Sequence, residues 1–234
     1  MLSVLRTLFL AMTGQRFPKK RRALPLSMAQ QRALNVGAIM ASMRLEYVNC
    51  LETQPNKNSG KKSLGDMWGI HDGESAITTL EWLKNEGHSR EYDEILLQRF
   101  HGGRGGSHEC DGERAFDLEA AVMLDDSLKM LTEKQALDTA NFVTTKAWDL
   151  GRMVNVARWC YGYGFITEEM AWRYVFHAYN EASSIYENWS EFGKAYIVGR
   201  AMWDGPTVAT EVTIECVERL HSNEKSPWRA LALK

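Results

Sequence analysis

Three features of the sequence predict an all-α fold, a single compact multi-helix domain with an N-terminal helical arm. No proline occurs between Pro55 and Pro206, so nothing there removes a backbone donor from a helix. Apolar residues recur with a period near 3.6, and the runs are repeatedly preceded by Ser, Thr, Asp or Asn. No segment alternates apolar and polar positions with β-branched residues, so no strand is expected.

The elements follow in order. Residues 2–12 are apolar apart from Ser3, Arg6 and Thr7, and are too short to span a bilayer. Arg6 inside the run, and the basic residues Lys19 to Arg22 after it, are unlike a signal peptide. The segment reads as a helix docked on the body; the alternative is an interfacial anchor making weak membrane-surface contact. Ser27 with Gln30 forms a capping box, opening a helix that should reach Leu51. Residues 54–62, QPNKNSGKK, form a polar loop and the clearest linker. The division expected is therefore 1–62, arm and linker, and 63–234, helical body.

Asp72 caps the next helix and Gly87 stops it; another helix spans 89–100. Residues 101–110, HGGRGGSHEC, form a glycine-rich loop. It lacks the Lys-Ser/Thr of a phosphate loop, and His101, His108 and Cys110 match no standard zinc spacing. No metal and no cofactor are expected. Residues 113–131 are helical, and Thr132 with Gln135 suggests a second capping box leading into the central stretch. After Pro206, Val208, Val212, Cys216 and Leu220 mark an amphipathic helix, and Ser226-Pro227 starts a short turn that buries Trp228.

The central stretch, 147–203, holds five of the eight tryptophans. On a helix over 148–161, Leu150, Val154, Ala157 and Tyr161 share one face. Trp148, Arg152, Asn155 and Trp159 share the other, so the helix should be covered on both sides. Arg152 and Asn155 read as a polar layer, with Asp149 or Glu191 as the partner a buried guanidinium demands. The alternative is a tryptophan-lined ligand pocket of Trp148, Arg152, Asn155, Trp159 and Arg200. Thr167 caps the following helix, which presents Ala171, Val175, Ala178 and Ala182 for close packing. Asn188 or Ser190 caps a third, carrying Trp189, Tyr196 and Trp203 seven residues apart with Gly199 beside them. These aromatics should meet the Trp148 face as a seam.

The motifs W-D-L-x-R at 148–152, A-R-W at 157–159 and W-S-E-F-G-x-x-Y-x-x-G-R-x-x-W at 189–203 resemble a bacterial family, domain of unknown function 1266. So do W-G-I at 68–70, L-E-W-L at 80–83, G-H-S-R at 87–90 and S-P-W at 226–228. The resemblance spans roughly 64–228 and implies neither an activity nor catalytic residues.

A net charge of −2 and a pI near 6.3 give no reason to expect nucleic acid. The four scattered cysteines form no C-x-x-C pair and suit reduced thiols in the cytoplasm. No assembled catalytic signature is present. The function expected is a soluble, non-enzymatic helical domain with a protein partner. A hydrolase or small-ligand binder using the Trp/Arg face, and a peripheral membrane protein, are the alternatives.

Overall fold

A computed structural model of the chain describes residues 17–53, 57–101, 118–135, 137 and 142–234. The helices are α1 (Met28–Asn35), α2 (Ala38–Met43), α3 (Lys57–Trp68), α4 (Gly73–Asn85), α5 (Ser89–His101), α6 (Leu118–Glu133), α7 (Lys146–Gly162), α8 (Glu168–Ile185), α9 (Trp189–Asp204), α10 (Val208–Ser222) and α11 (Pro227–Ala230). No strand occurs among the described residues. The all-α expectation holds.

α7 is the axis of the fold. Residues 147–160 are buried without a break, and α8, α9 and α4 pack directly on α7, joined by α2, α3 and α5. A helix with aliphatic residues on one side and tryptophans on the other has no face suited to water. α8 lays Ala171, Val175, Ala178 and Ala182, all fully buried, into this packing, where small side chains permit close approach. Caps agree with the sequence at Ser27, Asp72, Thr167, Asn188 and Ser226, each accepting a backbone N–H of its own first turn.

Several expectations are corrected. The helix expected from 28 to 51 is two short ones. α2 closes with Leu45 in the left-handed region, and the Glu46 N–H bonds back to the Ala41 carbonyl at 2.8 Å. This frees residues 47–52 to deliver carbonyl oxygens to the buried Arg158. Its Nη2 donates to the carbonyls of Tyr47, Cys50 and Glu52, and its Nε to that of Leu51. The polar stretch 57–62 is helical, because α3 runs on into Leu64 and Trp68, which pack on the core. Thr132 opens no helix; its hydroxyl donates to the Leu128 carbonyl inside α6. Val208 and Val212 are exposed, and α10 buries Thr210, Thr213 and Ile214 with Cys216, Val217 and Leu220.

Residues 17–53 share the core of the rest. Phe17, Leu34, Ile39 and Leu51 lie in the same buried cluster as α7. Asn35 donates to the Pro227 carbonyl at 2.9 Å and accepts, through its own carbonyl, from the Trp228 indole at 2.8 Å. Residues on both sides of residue 62 therefore contribute to one buried cluster.

Candidate functional site

Two reciprocal caps fix the geometry around α7. Asp149, fully buried, accepts the backbone N–H groups of His88 at 3.1 Å and Ser89 at 2.9 Å, at the start of α5. Asp93, on α5, accepts from the Thr145 N–H at 2.7 Å and from the hydroxyls of Thr144 and Thr145, at the start of α7. Negative charge at a helix N-terminus satisfies orphan donors and opposes the positive end of the dipole. Burial nevertheless pushes the Asp93 carboxyl upward from its ordinary value. The turn before α5 needs Gly87: its φ is +62°, and a Cβ there would stand 2.2 Å from Asp149 Oδ2.

Asp149 also accepts from Arg152 Nη2, which makes it the partner a buried guanidinium requires. Glu191, the other candidate, instead caps α9 by accepting the Glu187 N–H at 2.8 Å and an Asn188 Nδ2–H at 3.0 Å. Burial opposes the charge on Arg152 and Asp149 supports it. Arg152 Nε donates to the Trp148 carbonyl at 3.3 Å, and its guanidinium lies 4.6 Å from the Trp148 ring centre and 5.6 Å from that of Trp68.

Beside this seam is a cavity of about 650 Å³. That volume suits a drug-sized ligand. Five indoles line it, those of Trp68, Trp82, Trp148, Trp159 and Trp203, with the guanidinium-bearing Arg44, Arg152 and Arg200. Met40, Met43 and Met67 add adaptable apolar surface. No Asp or Glu is among the described residues that line it. Each guanidinium lies over an indole: Arg44 over Trp159 at 4.8 Å, Arg152 over Trp148, and Arg200 over Trp148 at 5.7 Å. His88 completes the wall. Its imidazole is stacked on Tyr92 at 5.4 Å and touches Trp82 at 5.0 Å and Trp203 at 4.8 Å. Burial, and secondarily the Arg152 charge, push it below the ordinary imidazole range. Both effects favour the neutral imidazole.

Of the five residues singled out from sequence, Trp148, Arg152, Trp159 and Arg200 line the cavity. Asn155 does not. It is fully buried, donates to the carbonyls of Gly37 at 3.0 Å and Gly151 at 2.9 Å, and accepts from Arg158 at 3.3 Å. The seam exists too: Tyr196 meets Trp148 edge-on at 5.0 Å. Trp189 stacks instead on Trp228 at 5.1 Å, and Trp203 is half exposed at the cavity. Sequence reasoning missed Arg44, Trp68, Trp82 and His88. The last three lie in the short motifs at 68–70, 80–83 and 87–90, which were legible as motifs but not as one place. His108 and Cys110, and the side chain of His101, lie outside the described residues. Among the described residues no group of three or more His, Cys, Asp or Glu could hold a metal ion.

Residues 63–233 match the family described as Protein of unknown function (DUF1266), and the chain belongs to that family. A curated relative, Inner membrane protein YnjI of Escherichia coli (strain K12), is 22% identical over 181 residues. That match covers 74% of this chain and 47% of the relative, so the chain spans about half the length of the relative it matches. No solved structure matches. The expectation of a soluble protein-interaction domain is corrected by this relative, which is an inner membrane protein. Among the described residues, no helix is long and apolar enough to cross a membrane.

Proposed function

We propose that this domain binds a small, largely apolar molecule in the cavity between α2, α3, α4, α7 and α9. One observation carries the reading: an open cleft of about 650 Å³ between helices, walled by indoles and guanidiniums. Apolar surface in an open cleft is left against water until an apolar ligand covers it. The aromatic surface supplies affinity, and the few polar groups supply orientation. By analogy with the relative, which is named an inner membrane protein, the domain works in a membrane-associated protein.

The test is co-purification. The full chain, expressed in its native host and purified without detergent or heat, is denatured, and the released small molecules are measured by mass spectrometry. Thr79→Phe fills the wall without disturbing a buried core residue. A compound present near one equivalent with the wild type and absent with Thr79→Phe supports the proposal. Equal small-molecule content in the two proteins refutes it.

A further inference from the structure

The cavity wall carries guanidinium donors and, among the described residues, no carboxylate. Arg152 and Arg200 flank the same Trp148 ring. Each guanidinium is oriented by a carboxylate that is not part of the lining: Asp149 holds Arg152 through Nη2, and Asp204 holds Arg200 through Nη2 at 2.6 Å. Both carboxylates are shared. Asp149 also serves the N-terminus of α5, and Asp204 also accepts the Thr207 hydroxyl at 3.0 Å. Among the described residues Arg152 Nη1, and Nε and Nη1 of Arg200, have no acceptor. Arg152 is 4% exposed and lines the cavity. The Trp148 indole N–H is buried without an acceptor as well. Thr78 and Thr213 donate their hydroxyls to the Glu74 and Ala209 carbonyls and keep only lone pairs, so the charged donors on the wall are the guanidiniums.

We infer that the occupant is an amphipathic monoanion, with a carboxylate-like head set between Arg152 and Arg200 and an apolar body laid along the indoles and methionines. This rests on the ligand-binding reading above and names its chemistry. A carboxylate brings lone pairs to a site that has spare N–H groups. Guanidiniums prearranged by their own partners bind such a head without first losing conformational freedom. A neutral head of the same size leaves charge-assisted hydrogen bonds unmade, and a cationic head meets two like charges. Burial disfavours a charge on His88, which leaves selection to the guanidiniums. The apolar body has two sources that the wall alone accommodates equally, a fatty-acyl chain and a fused aromatic ring.

The experiment is isothermal titration of the full chain with two matched pairs below their micellar concentrations: dodecanoate with dodecanol, and pyrene-1-carboxylate with pyrene-1-methanol. In at least one pair the carboxylate is expected to bind about tenfold or more tighter than its alcohol, which is the worth of one charge-assisted bond. Which pair responds identifies the body as aliphatic or aromatic. Arg200→Gln should weaken carboxylate binding more than alcohol binding and so remove most of that preference. Alcohols binding as tightly as carboxylates would overturn the anion inference while the cavity reading stands. Absence of binding by all four compounds would count against both. A carboxylate preference undiminished in Arg200→Gln also overturns the inference. The comparison within the wild type decides without any variant.

Discussion

Asp149→Asn isolates the one carboxylate on which the seam depends. Asp149 accepts from Arg152 Nη2 and from the N–H groups of His88 and Ser89, and it is fully buried. Asparagine keeps the volume and one acceptor oxygen. Its second terminal atom becomes a donor facing donors. Arg152, 4% exposed, is then a buried cation without a counter-charge. Removing one member of a buried pair costs about 3–5 kcal/mol, and a weakened cap costs about 1 kcal/mol more. Taking about 5 kcal/mol, and about 2–4 °C per kcal/mol for a chain of this length, the melting temperature should fall by about 10–20 °C. The assay is thermal unfolding followed by far-ultraviolet circular dichroism at pH 7.5. Asp149→Asn combined with Arg152→Met removes the orphaned charge and should recover at least half of the loss, because no uncompensated ion then stays buried. A single variant melting within about 2 °C of wild type, under 1 kcal/mol on the same scale, would refute the reasoning. So would a double variant less stable than the single one.

Gly199→Ala should destabilise by about 1–3 kcal/mol through overpacking, since its Cβ would stand 2.4 Å from the Trp148 Cβ, and urea denaturation measures it. A chain beginning at Ser63 should show no cooperative thermal transition, because it lacks the 47–52 carbonyls around Arg158 and the Asn35–Trp228 contacts; a sharp transition at the full-length temperature would restore the separable arm. Stability should also decline as pH falls below about 6.5. Burial depresses the folded-state values of His88 and His221, so above 6.5 both states hold neutral imidazoles, and below it the unfolded chain takes up protons first. Urea midpoints at pH 7.5 and 5.5 check the sign, and His88→Phe should lessen the drop; a midpoint higher at pH 5.5 would contradict it.

Helix class, most caps and the burial of the central helix were legible in the sequence because they depend on local chemistry. A side-chain oxygen before a helix caps that helix wherever it lies, so Asp72, Thr167 and Asn188 could be read at sight. The two-sided pattern of Trp148 to Tyr161 excluded a solvent face for the same reason. Arg152 could be assigned a carboxylate because burying a lone guanidinium is prohibitive, and Asp149 was in reach one turn away. At Arg152 the polar layer and the cavity wall coincide, since the side chain bonds Asp149 and also lines the cavity.

Only the tertiary structure decided where the remaining polar groups go. Asn155 and Arg152 share a helical face, yet Asn155 bonds Gly37, more than a hundred residues away in sequence, while Arg152 lines a cavity. Helical periodicity fixes direction around one axis and says nothing about which element arrives there. The break after α2 has the same origin: a local pattern favours continuing the helix, and Arg158 draws the carbonyls of 47–52 out of it. Trp68, Trp82 and His88 look like isolated motif residues in the chain, and they converge on Trp148 only once α3, α4 and α5 dock on α7. The sequence by itself determined which surfaces had to be hidden from water. The docking of the helices determined that they hide one another incompletely, leaving a space walled by indoles and cations.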